Sequence, residues 1–464
     1  MRNLRIIRCV PRFVLLGAIV FALNSCATEH SNKTVTSRAT QRYLLYGAPW
    51  DGCAAPQFKP LVNKAADVGF NAIRIVVNWR QHQNRAGECD FAALDEALDY
   101  VVKTKRLKAV VMIWLTRPPE PIQKGNDTVL LEKDLQRNSA GQISSMFSFN
   151  SDHAAERAAD FVERVVAHCH ARYPDEILCY ITPFSQFAET EYWCKGEWGY
   201  EELSRQAYRA WLAARYGTIG ELNRAWKSTY ASFDQIQPSR KGDAPGLDWY
   251  RFRHAALKRA IHQVAAAVQK GHPEARHALQ FGSTFDGLVD TRCTACFPDL
   301  CTRSHVVWVD DAAHYNHCFS MDYMRSSLPG KWICNEIDAP SRGSDEEYYR
   351  QAKESFEHGA SMISVANWPD LAELEKRAGV FRSIARDFLA APVPEKKPVA
   401  TITIKASEAR RGTGVFQRRY NELSSNGTNW VRVLLDDDVS VQGGNAEADG
   451  RKSELTLRRD TPHD

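Results

Sequence analysis

The sequence predicts an α/β fold, a (β/α)8 or TIM barrel with a short C-terminal extension. Apolar, strand-like runs alternate with helix-like segments eight times between residues 42 and 392. Helical connections force successive strands to pair in parallel with right-handed crossovers, and eight such units close into a barrel. Glutamates follow the fourth and the seventh run. Because the C-terminal ends of the strands form the active-site face of such barrels, we expect a functional site there.

The eight predicted strands are short, buried and rich in β-branched residues, as parallel strands covered by helices are. They are expected at 43–50, 71–79, 107–115, 176–183, 277–284, 305–309, 331–336 and 360–368. Apolar residues at helical spacing predict helices around 58–66, 91–102, 158–169, 257–268, 319–328, 348–358 and 371–389, and the sequence at 207–226 is helix-rich. A polar insertion after the third strand is expected to overhang the active-site face.

The first 26 residues have the features of a lipoprotein-type signal peptide. Four arginines precede an apolar run at 13–23, which is too short to cross a bilayer as a helix. The run ends in Leu-Asn-Ser-Cys, which resembles a bacterial lipobox, so Cys26 is expected to be lipidated and to form the mature N-terminus. The polar residues 27–41 would then be a tether. We therefore expect an exported protein of the bacterial cell envelope, lipid-anchored to a membrane on the periplasmic side or at the outer surface.

The barrel is expected to span 42–392 and to end where prolines cluster, at 392–398. The remaining residues, 393–464, contain the strand-like stretches TITIKA and NWVRVLL and become polar from Gly443 onward. They predict a short extension that is β-rich or partly disordered.

Composition excludes several classes of protein. A hydrophobic content of 44% argues against disorder, and a net charge of +4 over 464 residues argues against nucleic-acid binding. Cys293, Cys296 and Cys301 lie close together but lack a fourth ligand at zinc-finger spacing, so we expect no metal and no other cofactor. The chain's 12 tryptophans favour a carbohydrate partner, because indole faces are common platforms for sugar rings. The oligomeric state is left open.

The helical stretch YRAWLAARYGTIGELNRAWKSTYASFDQIQPS, at 208–239, resembles a segment of glycoside hydrolase family 42, the family of many bacterial β-galactosidases. The resemblance covers the chain from about Tyr43 to Leu389 and extends to the clan of retaining (β/α)8 glycosidases. In that clan an acid/base Glu ends strand four and a nucleophile Glu ends strand seven. The resemblance therefore implies a retaining hydrolase of oligo- or polysaccharides, including β-galactosides, that uses Glu189 and Glu336 in a double displacement.

Two carboxyl groups suit this chemistry because cleavage of a glycosidic bond passes through an oxocarbenium-like state. One Glu protonates the leaving oxygen while the other attacks the anomeric carbon. We expect Arg74, on the second strand, to lie near Glu336 and to keep it ionised. Aromatic neighbours of Glu189 should raise the pKa of that acid by desolvation. Glu191 points the same way as Glu189 if the segment is extended, so it is the alternative acid/base.

Other residues near the strand ends are candidates for the substrate site. By resemblance, Arg74 corresponds to the clan's strand-two arginine, Tyr315 to a tyrosine that hydrogen-bonds the nucleophile, and Trp368 to the aromatic floor of the sugar site. Weaker candidates for substrate contact, also at strand ends, are Trp50, Asp51, Trp114, Asp310 and Asp311. Ordinary packing or a surface ion pair is the alternative interpretation of these positions.

The sequence departs from the clan at the residue before the acid/base. The clan has Asn there, which contacts the sugar 2-hydroxyl, whereas Ala188 precedes Glu189 in this chain. This difference supports a second hypothesis, a non-catalytic carbohydrate-binding lipoprotein with a glycosidase-like barrel. Retention of both glutamates favours the enzyme, because a binding protein gains little from two desolvated carboxyls facing a neutral sugar.

Overall fold

The structure is a computed structural model, and it describes most of the chain after the predicted tether. The described residues are 41–47, 54–116, 130–239, 244–282, 292, 297–310, 316–337, 344–365, 370–394, 399–405, 419–420, 422–423, 431–437 and 457–458. The predicted signal peptide, the predicted lipidation site Cys26 and residues 27–40 lie outside them. Within these ranges no helix is both long enough and apolar enough to cross a membrane.

Eight parallel strands close into a barrel, which confirms the predicted fold. In chain order they are β1 (Tyr43–Gly47), β2 (Ala72–Asn78), β3 (Lys108–Trp114), β4 (Ile177–Ile181), β5 (His277–Phe281), β6 (Val306–Asp310), β7 (Trp332–Ile337) and β8 (Met362–Val365). Successive strands pair with each other, and β8 pairs with β1 to close the cylinder. The carboxyl ends of all eight strands therefore lie at the same end of the barrel.

Helices alternate with the strands along the chain and surround the barrel. They are α1 (Phe58–Asp67), α2 (Trp79–His82), α3 (Ala92–Leu98), α4 (Asp152–Arg172), α5 (Glu202–Tyr216), α6 (Ile219–Trp226), α7 (Ala244–Gly271), α8 (Phe297–Leu300), α9 (His317–Ser327), α10 (Asp345–Glu357), α11 (Leu371–Lys376) and α12 (Ala378–Phe388). Ser344 caps α10 by accepting a hydrogen bond from the backbone N–H of Glu347 at 3.3 Å. This cap explains why α10 begins earlier than its apolar residues predict.

Alternation of side chains along each strand separates two apolar layers. On β2, Ile73 and Ile75 pack in the layer between strands and helices, whereas Ala72 and Val76 belong to the cluster inside the barrel. Successive side chains of a strand point to opposite faces, so Arg74 also faces the barrel interior. A charged side chain is thereby placed within an apolar cylinder.

The same alternation orients β7. Ile333 and Ile337 pack towards the helices, and Cys334 belongs to the interior cluster. Glu336, two residues after Cys334 and near the carboxyl end of the strand, therefore points into the barrel mouth. The strand pattern alone thus brings Glu336 to the same cavity as the guanidinium on β2.

Two local features differ from the sequence prediction. The polar insertion after β3, which the sequence predicts to be a loop, contains a two-stranded antiparallel hairpin, Leu135–Arg137 with Ile143–Phe147. The closing helix, predicted as one segment, is two helices, α11 and α12, with Arg377 at the junction. Arg377 pairs with Glu373 at 3.0 Å and with Asp345 of α10 at 2.6 Å, so this junction is fixed by ion pairs that periodicity does not reveal.

The C-terminal residues contribute a small sheet. Its strands are Ala400–Lys405, Val431–Asp437 and Leu457–Arg458, in that order, with the first pair parallel and the second antiparallel. The buried Tyr420 attaches this part of the chain to α9. Its hydroxyl donates to Asp322 Oδ2 at 2.6 Å, and its ring meets that of Phe319 edge-on at 5.4 Å between centroids.

Candidate active site

Three side chains surround the carboxyl group of Glu336. Arg74 Nη1 lies 3.1 Å from Oε2, Ser364 Oγ donates to the same oxygen at 3.1 Å, and Gln280 Nε2 donates to it at 3.3 Å. Ser364 reaches it because β8 pairs with β7 in a register that puts Ser364 beside Glu336. A carboxylate can only accept hydrogen bonds, so a set of three donors fits its ionised form.

The predicted proximity of Arg74 and Glu336 is confirmed, and both side chains are buried. Their side chains are 1% and 9% exposed. Arg74 Nη1 also donates to Gln280 Oε1 at 3.3 Å, so the Gln280 amide joins the cation to the carboxylate with its oxygen and its nitrogen. This network links β2, β5 and β7 across the barrel interior.

Glu189 lies in a tight turn after β4 rather than on the strand itself. The backbone N–H groups of Phe184 and Ser185 both donate to the Glu189 carbonyl at 2.9 Å, and the N–H of Ala188 donates to the Ser185 carbonyl at 3.1 Å. The Ser185 hydroxyl accepts from the Glu189 N–H at 3.0 Å and donates to Glu189 Oε2. One serine therefore fixes both the backbone and the carboxyl group of Glu189.

Burial raises the pKa of the Glu189 carboxyl, because removal from water disfavours the charged form. The residue is 5% exposed. The cation of Arg292 and the hydrogen bond from Ser185 oppose this rise, and the negative charge of Glu336 adds to it. The effect of Glu336 means that the two carboxyl groups share one electrostatic environment. The direction of the shift agrees with the sequence prediction for an acid.

Ala188 adopts an unusual backbone conformation. Its φ is +65°, in the left-handed region that Gly and Asn occupy more readily, and its side chain is fully buried. A left-handed Ala costs about 1 kcal/mol. The turn that presents Glu189 is thus strained at the position where the family resemblance implies Asn.

Glu191 is completely buried and ion-paired. Its Oε1 lies 3.1 Å from Arg292 Nη1, and the backbone N–H of Gly282 donates to Oε2 at 3.4 Å. Thr190, between the two glutamates, is hydrogen-bonded to the backbone of Gln280 near the end of β5. The Thr190 N–H donates to the Gln280 carbonyl at 2.5 Å, and the Thr190 hydroxyl accepts from the Gln280 N–H at 3.1 Å. Because the Glu191 carboxyl is already held by Arg292 and by the Gly282 N–H, Glu189 is the better candidate for proton transfer.

The remaining predicted substrate contacts are only partly within the described residues. Trp114, at the end of β3, is 7% exposed, and its indole N–H donates to the Ser185 carbonyl at 2.9 Å. Trp114 therefore supports the turn that carries Glu189, and its contact with substrate stays a prediction. Four other candidates lie outside the described residues: Trp50, Asp51, Tyr315 and Trp368. Of the two further aspartates, Asp310 ends β6 and Asp311 is not described.

Sequence reasoning missed four residues that complete the site: Gln280, Ser364, Ser185 and Arg292. Gln280 had a detectable signal, since it is a polar residue within the apolar run HALQF of β5. The positions of the other three depend on strand register or on turn geometry, which hydrophobic periodicity does not determine.

No group of His, Cys, Asp and Glu within the described ranges could hold a metal ion. Cys301 is buried in the short turn Cys301–Arg303, while Cys293 and Cys296 lie outside the described residues. The expectation that these three cysteines bind no metal stays a prediction.

The chain is similar in sequence to known glycoside hydrolases. The glycoside hydrolase family 42 model, described as beta-galactosidase, matches residues 56–370. A beta-galactosidase of an Arthrobacter species is 24% identical over 337 residues, which cover 62% of this chain and 46% of that enzyme. The chain spans about half the length of the curated relatives it matches in this way.

Solved structures show the same fold. The beta-galactosidase of the Antarctic haloarchaeon Halorubrum lacusprofundi superposes with a TM-score of 0.64 at 19% identity, covering 86% of this chain and 67% of that one. A family 42 exo-carrageenase from Bacteroides ovatus superposes with a TM-score of 0.60 at 14% identity, covering 83% of this chain and 58% of that one.

Proposed function

Since the chain belongs to glycoside hydrolase family 42, we propose that it is a retaining glycoside hydrolase that cleaves O-glycosidic bonds in oligo- or polysaccharides. The observation that carries the proposal is the contrast between two carboxyl groups at one barrel mouth. Glu336 is surrounded by donors, while burial raises the pKa of Glu189. A retaining glycosidase needs one ionised and one protonated carboxyl at the same time.

In the first displacement, Glu336 attacks the anomeric carbon while Glu189 gives its proton to the glycosidic oxygen. The C–O bond breaks, an alcohol leaves, and the sugar becomes esterified to Glu336. The three donors to Glu336 all reach Oε2, so we assign the attack to Oε1. Arg74, Gln280 and Ser364 hold the carboxylate in place for attack.

In the second displacement, the ionised Glu189 takes a proton from water as that water attacks the anomeric carbon. The ester bond breaks, Glu336 recovers its negative charge, and the sugar leaves with its original anomeric configuration. The Ser185 hydroxyl, which donates to Glu189 Oε2, helps to hold this carboxyl through both steps.

β-Galactosides are the proposed substrates, because the matching family model and the curated relatives are described as beta-galactosidases. The family 42 exo-carrageenase among the structural neighbours makes carrageenan fragments a second class to test. A panel of aryl glycosides and carrageenan oligosaccharides, assayed with the full chain, tests the proposal. Hydrolysis of at least one of them is expected, together with its loss in Glu336→Ala. Sugar binding in calorimetry without turnover would favour the non-catalytic carbohydrate-binding alternative.

The proposed site of action is the bacterial cell envelope, with the protein held by a lipid on Cys26. The support is the arginine-rich, apolar start of the chain and its lipobox-like end. Cells fed a radioactive fatty acid should label the protein, and Cys26→Ser should remove the label. An unlabelled wild-type protein would rule out the anchor.

A further inference from the structure

A buried cluster beside Glu189 contains a second glutamate and an arginine that the proposed reaction does not use. Glu191 is 0% exposed and Arg292 is 8% exposed, and the carboxyl and guanidinium lie 3.1 Å apart. Both come from segments at the barrel mouth, one after β4 and the other after β5. A buried ion pair is costly to desolvate, so its presence here calls for a physical reason.

Gly282 packs directly against the Arg292 guanidinium, where a larger residue would not fit. A Cβ added at this residue would lie 1.5 Å from Arg292 Nη1 and 2.8 Å from its Cζ. The backbone N–H of the same glycine donates to Glu191 Oε2 at 3.4 Å. The absence of a side chain at 282 therefore leaves room for Arg292 against Glu191.

Arg292 acts on more than its ion-pair partner. Its positive charge is the main influence that favours the ionised form of Glu189 against burial. It also interacts with the half-buried Cys194 thiol. Among the described residues, the Ser185 hydroxyl on its own turn, the Glu336 carboxyl on β7 and the Cys194 thiol also interact with Glu189. Arg292 is thus the positive charge that does most to lower the pKa of Glu189.

We propose that Arg292, anchored by Glu191, is a positioning residue whose charge allows Glu189 to serve first as an acid and then as a base. This inference rests on the proposed function. The second displacement needs an ionised Glu189, but burial alone favours its neutral form. A nearby cation offsets that preference. Glu191 holds the cation in place and neutralises part of its charge, so that Glu189 still carries a proton for the first displacement.

The test is a direct titration of Glu189 by NMR in the full chain labelled with 13Cδ-glutamate. The Glu189 signal is identified by its loss in Glu189→Gln. Arg292→Gln should shift the Glu189 midpoint upward, and Gly282→Ala should do the same because its methyl group displaces the guanidinium. Arg292→Lys should stay near the wild type, and Glu191→Gln should shift the midpoint downward. These opposite directions separate a charge effect from loss of structure.

Two results would overturn the inference. One is an unchanged Glu189 midpoint in both Arg292→Gln and Gly282→Ala, and the other is a shift of Glu191→Gln in the same direction as Arg292→Gln. If Arg292→Gln does not fold, the comparison of Gly282→Ala with Arg292→Lys decides.

Rate measurements connect the titration to catalysis. With an aryl glycoside that has a good leaving group, Arg292→Gln should lower kcat at neutral pH while kcat/KM changes little. The reason is that only the second displacement then needs Glu189, and it needs the ionised form. A wild-type protein that hydrolyses no glycoside would end the proposed function, whereas the NMR titration would still decide the role of Arg292.

Discussion

The two carboxyl groups at the barrel mouth are held in opposite ways. Glu336 stands on a strand and meets three donors from three other strands, β2, β5 and β8. Glu189 lies in a strained turn, accepts a hydrogen bond from the Ser185 hydroxyl of that turn, and is shielded from water by its surroundings. A rigid strand with many donors suits a group that stays negative, and a dry turn suits a group that gains and loses a proton.

The comparison shows that different parts of the chain determine where a side chain lies in the barrel and whether a carboxyl group is protonated. Strand alternation turns Glu336 and Arg74 towards the barrel interior, and it would do so for any residues at those positions. The protonation of Glu189 depends on its turn and on a cation from another segment. Variants that remove one environment at a time should therefore separate the two roles.

The largest effect is expected from Glu336→Ala. Loss of the nucleophile should lower kcat/KM by about 10⁴-fold or more, because the carboxyl group that forms the glycosyl ester is gone. Added azide should restore turnover and give a glycosyl azide of inverted configuration, which product NMR would identify. Glu202→Ala, on the exposed first turn of α5, is the control and should retain full activity. A Glu336→Ala protein with near wild-type rates would remove Glu336 from the chemistry.

Glu189→Ala should have a smaller effect that depends on the leaving group. Loss of general acid catalysis is expected to cost about 10² to 10⁴-fold on natural sugars and much less on aryl glycosides with good leaving groups. A series of aryl glycosides, plotted against leaving-group pKa, measures this dependence. The same series with Glu191→Ala tests the alternative acid, and leaving-group dependence in that variant alone would transfer the role to Glu191.

Arg74→Met should destabilise the fold by about 3 to 5 kcal/mol, because it leaves the buried carboxyl of Glu336 without its cation. The free energy of unfolding from denaturant titration is the measurement. The double variant Arg74→Met with Glu336→Gln removes both charges and should recover most of the loss. Equal destabilisation in the single and double variants would show that packing, rather than the ion pair, is what Arg74 supplies.

The smallest effect is a pH-dependent gain in stability for Glu189→Gln. The folded-state pKa of Glu189 is raised by burial, so its contribution to stability is complete below the unfolded pKa of about 4.3 and falls as pH rises through the folded value. Gln does not ionise. The variant's advantage over the wild type should therefore grow from pH 4 upward and level off above the folded pKa, as unfolding curves at several pH values would show. An advantage that shrinks with rising pH would contradict the assigned shift.

Much of the barrel was predictable from sequence because parallel strands covered by helices are uniformly apolar. The runs around Val111 and Ile333 have this character, and each proved to be a barrel strand. The hairpin at Leu135–Arg137 and Ile143–Phe147 was missed because its strands are short and lie within a polar insertion. The break between α11 and α12 was missed because both halves continue one apolar face.

The candidate site was predictable only in its outline. Glu336 and Arg74 follow from alternation on strands whose ends could be recognised. Ser364 reaches Glu336 through the register of β8 on β7, and Arg292 lies outside every strand and helix that the sequence predicts. These contacts depend on three-dimensional closure of the barrel, which a linear pattern does not contain.

The division of labour between the two carboxyl groups can be tested most directly by trapping the glycosyl ester. A 2-deoxy-2-fluoro glycoside of the preferred sugar, with a good leaving group, should accumulate as a covalent intermediate because the fluorine slows both displacements. Peptide mass spectrometry should then find the added sugar on Glu336, in a wild-type protein that is active on the unsubstituted glycoside. An adduct on Glu189 or Glu191, or an active protein that forms no adduct, would contradict the assignment.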